Sequence, residues 1–438
     1  MLLRLITFLW ICGYTCLSYA QDPGMQLLSK DQIFHGRNPA MPLPKNYAIG
    51  LPEGSGRLYN EAGSLDDWWL TTADGKRSVS LQNIWQTLDR KQYRSEAGWV
   101  IRSLYFGKKF NRFQLGVYHT FQGDLDFKYP KDLVGLLGYG NYGFLQQEPL
   151  AKTQALDIRP EISITVYEAI GLEGGFFIND RLSVGAGVQY LAGLYNFTSD
   201  VKVFEVDIRD PLTLKANEDW TLHTADLVDQ FSIDSLVLDT DRRALGTHPG
   251  IAFNAGVSYS VPAFQLGIQV RDLGSIQWKG ISYSRKAATN YSGVLIDDFL
   301  DVNQNVFNQI SDTLRAIANV TRSAQKYTSA LTGKIILDGQ YHISDHWSVG
   351  GSWYYNKNNV RSFWMLSGGI VFKPFPILQV GSQLSYDVHQ SFNIGVMGAL
   401  RLGFLNMYLS VDQVTALFQP ASIDRLSARA GISILWGK

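Results

Sequence analysis

The chain has 438 residues, 18% of them charged and 13% aromatic, with 41 glycines and a formal net charge of zero. It is charge-poor beside the ~25% usual for soluble domains, and neither sign is in excess. That excludes the electrostatic footprint of a nucleic-acid binder or of a protein built for acidic substrates, while the length admits either two or three ordinary domains or one large β-structure.

The first twenty residues have the pattern of a cleaved export signal. Arg4 is the only early charge, Leu5 to Leu17 is mostly apolar, and Ser18-Tyr19-Ala20 offers small residues at the cleavage positions. Both cysteines, Cys12 and Cys16, fall inside it, so the exported chain carries none and needs no disulfide framework. Neither cysteine follows the small residues that lipidation requires. After residue 20 no apolar run approaches the ~20 residues of a membrane helix. Two exported classes remain, a soluble secreted protein and a membrane β-barrel.

The mature chain opens irregularly, with "IFHGRNPAMPLPKNYAIGLP" from Ile33 to Pro52. Prolines 39, 42, 44 and 52 fix φ and remove backbone donors, so most of this stretch cannot join a ladder as an ordinary strand. It is either a loose tail or a piece folded back into something. Asn38 has the side chain to close an Asx-turn on the local backbone.

Regular structure follows. Leu182, Val184, Ala186, Val188 and Tyr190 alternate with Ser183, Gly185, Gly187 and Gln189. Phe264, Leu266, Ile268 and Val270 alternate with Gln265, Gly267, Gln269 and Arg271, and Leu378, Val380 and Leu384 share one face. Period-two alternation gives each strand one apolar and one polar face. Several segments exceed the usual 5–6 residues of a sandwich strand and match the ~9–11 of a tilted membrane strand. Very short connections near 108–111, 179–180, 261–263, 344–345, 374–376 and 402–403 alternate with longer ones near 124–159, 198–249, 275–331, 357–361, 388–390 and 413–426. Outer-membrane barrels show this asymmetry of short periplasmic turns and longer external loops. Thirteen strands are counted from Ala97 onward, and Asn46 to Asn60 supplies the first, interrupted by Pro52. The expected fold is all-β: a transmembrane antiparallel up-and-down barrel of about 14 strands over residues 46–438. Tryptophans and tyrosines near strand ends, such as Trp347, Trp353 and Trp436, suit interfacial belts. Within the long connections, Leu81, Ile84, Trp85 and Leu88 form a helical stripe, as do Phe299, Val302, Val306, Ile310, Leu314 and Ile317.

"NPAMPLPKNYAIGLP" ahead of alternating strands resembles outer-membrane barrels of the FadL-like type, whose N-terminal hatch carries an Asn-Pro-Ala. It is also similar to Bacteroidota barrels of the PorP/SprF group of type IX secretion and to a related uncharacterised family, in which Gly-Leu-Pro follows soon after, as at Gly50-Leu51-Pro52. Met41 stands where FadL-like hatches usually have glycine, and the chain ends Trp-Gly-Lys rather than on a terminal aromatic. The resemblance implies a hatch over residues 21–45 containing Asn38, Pro39, Ala40, Pro42 and Pro44. It implies a bacterial outer-membrane location among lipid. Two roles follow from it: an accessory or interaction component with an envelope or secretion partner, or a passive transporter of small hydrophobic ligands. Gln265, Gln269, Arg271, Arg401 and Arg429 fall on the polar faces and are expected to line the lumen.

Chemistry is sparse. Gly138-Tyr-Gly-Asn-Tyr-Gly143 matches a dinucleotide fingerprint by letter but lacks the strand before and helix N-terminus after it that would hold pyrophosphate; it reads as a flexible loop. Asp301, Asn303, Asn305 and Asp312 mimic calcium-loop spacing, yet Val306 replaces the turn glycine. Asp124, Asp126 and Asp132 read as a solvated loop. Of seven histidines, His119 and His389 lie nearer the external ends and His342 and His346 near a periplasmic turn, and no spacing marks a catalytic set. No enzyme activity, cofactor or metal is expected.

Overall fold

The computed structural model describes residues 23–28, 32–64, 68–71, 77–210, 214–226, 230–231, 236–237, 246–291, 320–357, 362–388, 392–414, 418 and 424–437. The signal-peptide stretch, the Phe299–Ile317 stripe, the calcium-like spacing at 301–312 and His389 lie outside the described residues.

A closed antiparallel barrel of fourteen strands forms the molecule. Its wall runs β1 (Tyr47–Asn60), β2 (Gln92–Lys109), β3 (Phe113–Pro130), β4 (Glu161–Phe177), β5 (Leu182–Asp207), β7 (His248–Ser260), β8 (Phe264–Tyr291), β10 (Gly333–His342), β11 (Trp347–Lys357), β12 (Ser362–Phe375), β13 (Leu378–Asp387), β14 (Phe392–Leu402), β15 (Leu405–Val411) and β16 (Arg425–Trp436). Each wall strand pairs with its neighbour along the chain. The pairing of Tyr47 with Trp436, on the first and last strands, closes the ring. Closure removes the free edges that an open sheet would expose.

Alternation sets the two faces as the sequence indicates. On β8, Leu266 and Ile268 are 51% and 45% exposed outside, whereas Gln265 and Gln269 are buried inside. Every short connection falls at one end of the barrel. At the other end the strands outrun the expected loops: β3 reaches Pro130, β5 reaches Asp207 and β8 reaches Tyr291. Two further strands, β6 (Leu214–Ala225) and β9 (Thr321–Ala330), complete a four-stranded extension in the order β5-β6-β8-β9. β6 and β9 are mostly polar in sequence, so the outward apolar alternation that marks the wall is lost there, while the β8 part of the extension still buries Ile276 and Trp278.

Two helices cap the β2–β3 side of the long-loop end. Ser80 caps α2 (Leu81–Thr87) by accepting from the Asn83 N–H at 3.3 Å. Trp85 and Ile84 of α2 pack with Val134 and Phe144 of α3 (Lys131–Gln147). The glycine-rich stretch 138–143 is therefore helical, not a flexible loop. It bends at Gly140, whose φ of 68° and ψ of 177° break the helix, and the Gly138 carbonyl accepts from Gln82 at 3.0 Å. Asp124 and Asp126 lie on β3, where Asp126 is bound by Arg94.

Candidate functional site: the occupied lumen

The proline-rich segment lies inside the wall. Short α1 (Pro23–Leu27) packs Met25, Leu27 and Leu28, with Phe34, against Val371, Met397, Ala399 and Tyr408. Ile33 and Leu43 pack on the opposite side with Tyr105, Tyr118 and Leu435. Between these clusters the backbone has no ladder to join, so wall side chains must satisfy it.

Asn38 is fully buried and does so in two directions. Its Nδ2 donates to the carbonyls of Val257 and Ile268 at 3.0 and 3.2 Å, and its Oδ1 accepts from the Ala40 N–H at 2.9 Å. The last bond is the Asx-turn that the sequence suggested. Pro39 and Ala40 then run against the wall. A Cβ on Gly185 would come within 2.3 Å of the Ala40 nitrogen, and one on Gly256 within 2.1 Å of Asn38 Oδ1. Segment backbone lies on Gly185 and the Asn38 side chain on Gly256, so neither position leaves room for a Cβ. Ser183 donates to the Ala40 carbonyl at 2.7 Å. Pro42 is fixed through its carbonyl, which accepts from Arg37. Pro44 is half-buried at the exit toward β1.

Four of the five expected lumen residues touch this segment. Gln265 Nε2 reaches Met41 Sδ at 3.4 Å, Gln269 donates to the Gly36 carbonyl at 3.3 Å, and Arg271 to the Arg37 carbonyl at 3.4 Å. Arg429 donates to the His35 carbonyl. Arg401 sits one residue before the end of β14 at the short-turn rim, half-buried and away from the segment.

Three contributors were not singled out from sequence. Gln114 binds the segment at both ends of its amide: Nε2 donates to the Pro39 and Met41 carbonyls at 3.1 and 2.8 Å, and Oε1 accepts from the Leu43 N–H at 2.8 Å. Glu53 accepts from the His35 N–H with both oxygens, at 3.0 and 2.8 Å. Arg102 and Arg429 bracket that carboxylate at 2.8 and 3.3 Å, and Arg102 also reaches the Ile33 carbonyl at 3.1 Å. A buried carboxylate shared by two guanidinium groups and a peptide N–H is a charge-assisted latch. The signal for Gln114 was its place on the polar face of an alternating strand. Glu53 had none, because Leu51 and Pro52 form a bulge against β16 that interrupts the alternation.

On the long-loop side of the segment the lumen holds a cavity of about 60 Å³. Leu58, Tyr59, Phe363 and Met365 line it beside the Arg57–Glu96 pair at 3.3 Å and the Arg425–Asp387 pair. Among the described residues no group of histidine, cysteine and carboxylate side chains could hold a metal.

Residues 39–412 match the Family of unknown function (DUF5723). The chain belongs to that family. No curated protein matches this DUF5723 chain. Among solved structures it is similar to the Pseudomonas putida toluene transporter TodX, at 10% identity and a TM-score of 0.42, covering 92% of this chain and 93% of that one. A Pseudomonas aeruginosa FadL homologue gives 11% identity and a TM-score of 0.42, covering 95% and 94%. The translocator domain of the autotransporter NalP from Neisseria meningitidis gives 8% and 0.34, covering 94% and 93%. Likenesses this distant assign no function to the DUF5723 barrel, whose topology rests on its own strand register.

Proposed function

We propose that the protein sits in the bacterial outer membrane after export with cleavage near residue 20. Residues 21–45 act as a hatch, residues 46–438 form the barrel, and the whole serves as an accessory or interaction component of the envelope, in secretion or surface attachment, rather than as an open pore. An outward apolar face around a closed ladder supports the membrane placement, since a ring of paired strands leaves no sheet edge to satisfy within the bilayer. The observation that carries the role is how many wall strands hold the segment inside the ring. Helix α1 lies against β10 to β14, and the segment from Ile33 to Leu43 is held by side chains of β1, β2, β3, β5, β8 and β16. The four-stranded extension at the long-loop end supplies a structured surface for a partner.

Passive transport of small hydrophobic ligands is the second reading. What favours it is the kind of tether: the hatch is held near Asn38 by hydrogen bonds and one latch, which can release as a unit. Planar-bilayer conductance and liposome uptake separate the two. The full chain is expected to be closed, and deletion of Asp22 to Lys45 is expected to conduct. Equal conductance would remove the hatch. Uptake of a small aromatic hydrocarbon by full-chain liposomes above protein-free ones would replace the accessory role with transport.

A further inference from the structure

The outer wall carries a polar constellation that the lumen does not explain. Ser103 of β2, His119 of β3 and Glu168 of β4 all face outward on adjacent strands. Ser103 Oγ lies 2.8 Å from His119 Nδ1, and His119 Nε2 lies 3.9 Å from a Glu168 carboxylate oxygen. Around them the wall is apolar and exposed, with Ile101, Leu104, Val117 and Ile170 each between 43% and 54% accessible. Ionisable side chains on a lipid-facing wall are costly and persist where they have a use.

A β-bulge accounts for the outward Ser103. On β3, Thr120 and His119 are consecutive, but their partners Arg102 and Leu104 are not. Ser103 is the additional residue, so it and Leu104 both point outward while Arg102 and Tyr105 point in. Bulges re-aim side chains in this way and recur beside active sites.

Proton wiring distinguishes this set from a second serine–histidine contact among the described residues. Ser282 also meets a histidine, His223, at 2.7 Å, but it donates its proton to Gln325 Oε1 at 2.7 Å. Among the described residues Ser103 has His119 alone as its side-chain partner; in the tautomer that carries its proton on Nε2, toward Glu168, Nδ1 is free to accept from the Ser103 O–H. That is a nucleophile, a base within hydrogen-bond reach and an acid behind the base.

We propose that Ser103, His119 and Glu168 form an acyl-ester hydrolase site that acts on long-chain carboxylic esters of the surrounding bilayer. The inference rests on the outer-membrane placement proposed above. One step toward the long-loop end, Trp99 and Phe121 face each other with ring centroids 6.4 Å apart, the kind of aromatic pair that marks the headgroup level. Lipid esters lie at that boundary. Ser103 Oγ attacks the ester carbonyl carbon as His119 Nδ1 takes its proton. The tetrahedral intermediate collapses, the C–O bond to the alcohol breaks, and His119 returns the proton to the departing oxygen. Water then attacks the acyl carbon of acyl-Ser103, gives its proton to His119, and displaces the serine oxygen, which recovers that proton. The balance is ester plus water to carboxylic acid plus alcohol. Glu168 is a positioning residue: at 3.9 Å it pairs with the imidazolium as that charge develops, and catalytic contacts often tighten only with substrate bound.

The test uses the full chain, folded in detergent micelles, with a long-chain alkyl fluorophosphonate and with p-nitrophenyl palmitate in mixed micelles. Peptide mass spectrometry is expected to find the probe on Ser103, and hydrolysis to be lost in Ser103→Ala. His119→Ala should lower kcat about 10²–10⁴-fold. Glu168→Gln should lower kcat with KM unchanged, and Glu168→Asp should restore part of it. An unlabelled Ser103 in a barrel that still shifts on unboiled gels, or a Ser103→Ala chain as active as the parent, overturns the proposal. Membrane fractionation reports separately on the location, so failure of either reading is recognisable.

Discussion

Glutamine in place of Glu53 would remove one negative charge from between two guanidinium groups while keeping the shape of the side chain. Arg102 at 2.8 Å and Arg429 at 3.3 Å both lose this carboxylate's charge. The His35 N–H, now shared between two carboxylate oxygens, keeps one neutral acceptor. Neither arginine can recover hydration in place, since they are 2% and 8% exposed. Breaking a buried pair costs about 3–5 kcal/mol because a charge is left unpaired. The lost charge-assisted bonds, about 1.5–3 kcal/mol each in isolation, are part of that sum rather than additions to it. A loss of about 4 kcal/mol shifts the docking equilibrium of the segment by roughly a thousandfold. Hydrogen exchange in micelles should read this as faster exchange from Phe34 to Leu43, with β10 to β12 unchanged. Protection of Phe34 to Ala40 at parental levels in a folded Glu53→Gln barrel would refute the latch.

Three further outcomes test the hatch and the orientation. Asn38→Ala deletes two donated bonds and one accepted bond, a loss of about 2–3 kcal/mol at ~1 kcal/mol each, and should open the segment to limited proteolysis while the wall stays intact. Gly185→Val and Gly256→Val place side chains where Ala40 and Asn38 lie, at 2.3 and 2.1 Å for the first added carbon, so each should raise conductance toward that of the Asp22–Lys45 deletion; closed channels would show that the segment relocates without cost. On intact cells a maleimide should label Lys286→Cys, whose native side chain is 82% exposed on the extension, and should leave Asp180→Cys at a short turn unlabelled; the reverse would invert the barrel.

The wall was legible because one physical variable, the environment of each face, is written at every second residue. From Phe264 to Arg271 the alternation gives strand, faces and lumen residues together, and the structure places Gln265, Gln269 and Arg271 inside. Legibility ended where that variable stopped varying. Thr321–Ala330 is mostly polar and nearly all exposed, so its pairing with β8 leaves no apolar alternation, and the region from 275 to 331 reads as loop. Strand β1 survived its Pro52 because the proline falls at a bulge, where no ladder donor is needed. Asn38 was readable as a local turn, but its donors to Val257 and Ile268 cross more than two hundred residues, and no spacing rule links them. Ser103, His119 and Glu168 were hidden for a related reason. Strict alternation in β2 would turn Leu104 inward beside an outward Ser103, and only the three-dimensional register brings the serine beside a histidine and an acid on two other strands.

The latch and the outer constellation share one bulge, which decides how each can be tested without disturbing the other. Arg102 and Ser103 are consecutive, yet one points into the lumen toward Glu53 and the other away from it. Deleting Ser103 would straighten β2 against β3. On its other side, however, β2 faces β1 with two residues on each strand between the Glu53–Arg102 and Gly50–Tyr105 pairs. A deletion would leave Leu51 and Pro52 opposite Leu104 alone, shift this count, and pull Arg102 off the carboxylate. Substitution keeps the count. Ser103→Ala therefore removes the outer hydroxyl with the hatch still latched, and Glu53→Gln loosens the hatch with the outer hydroxyl still beside His119.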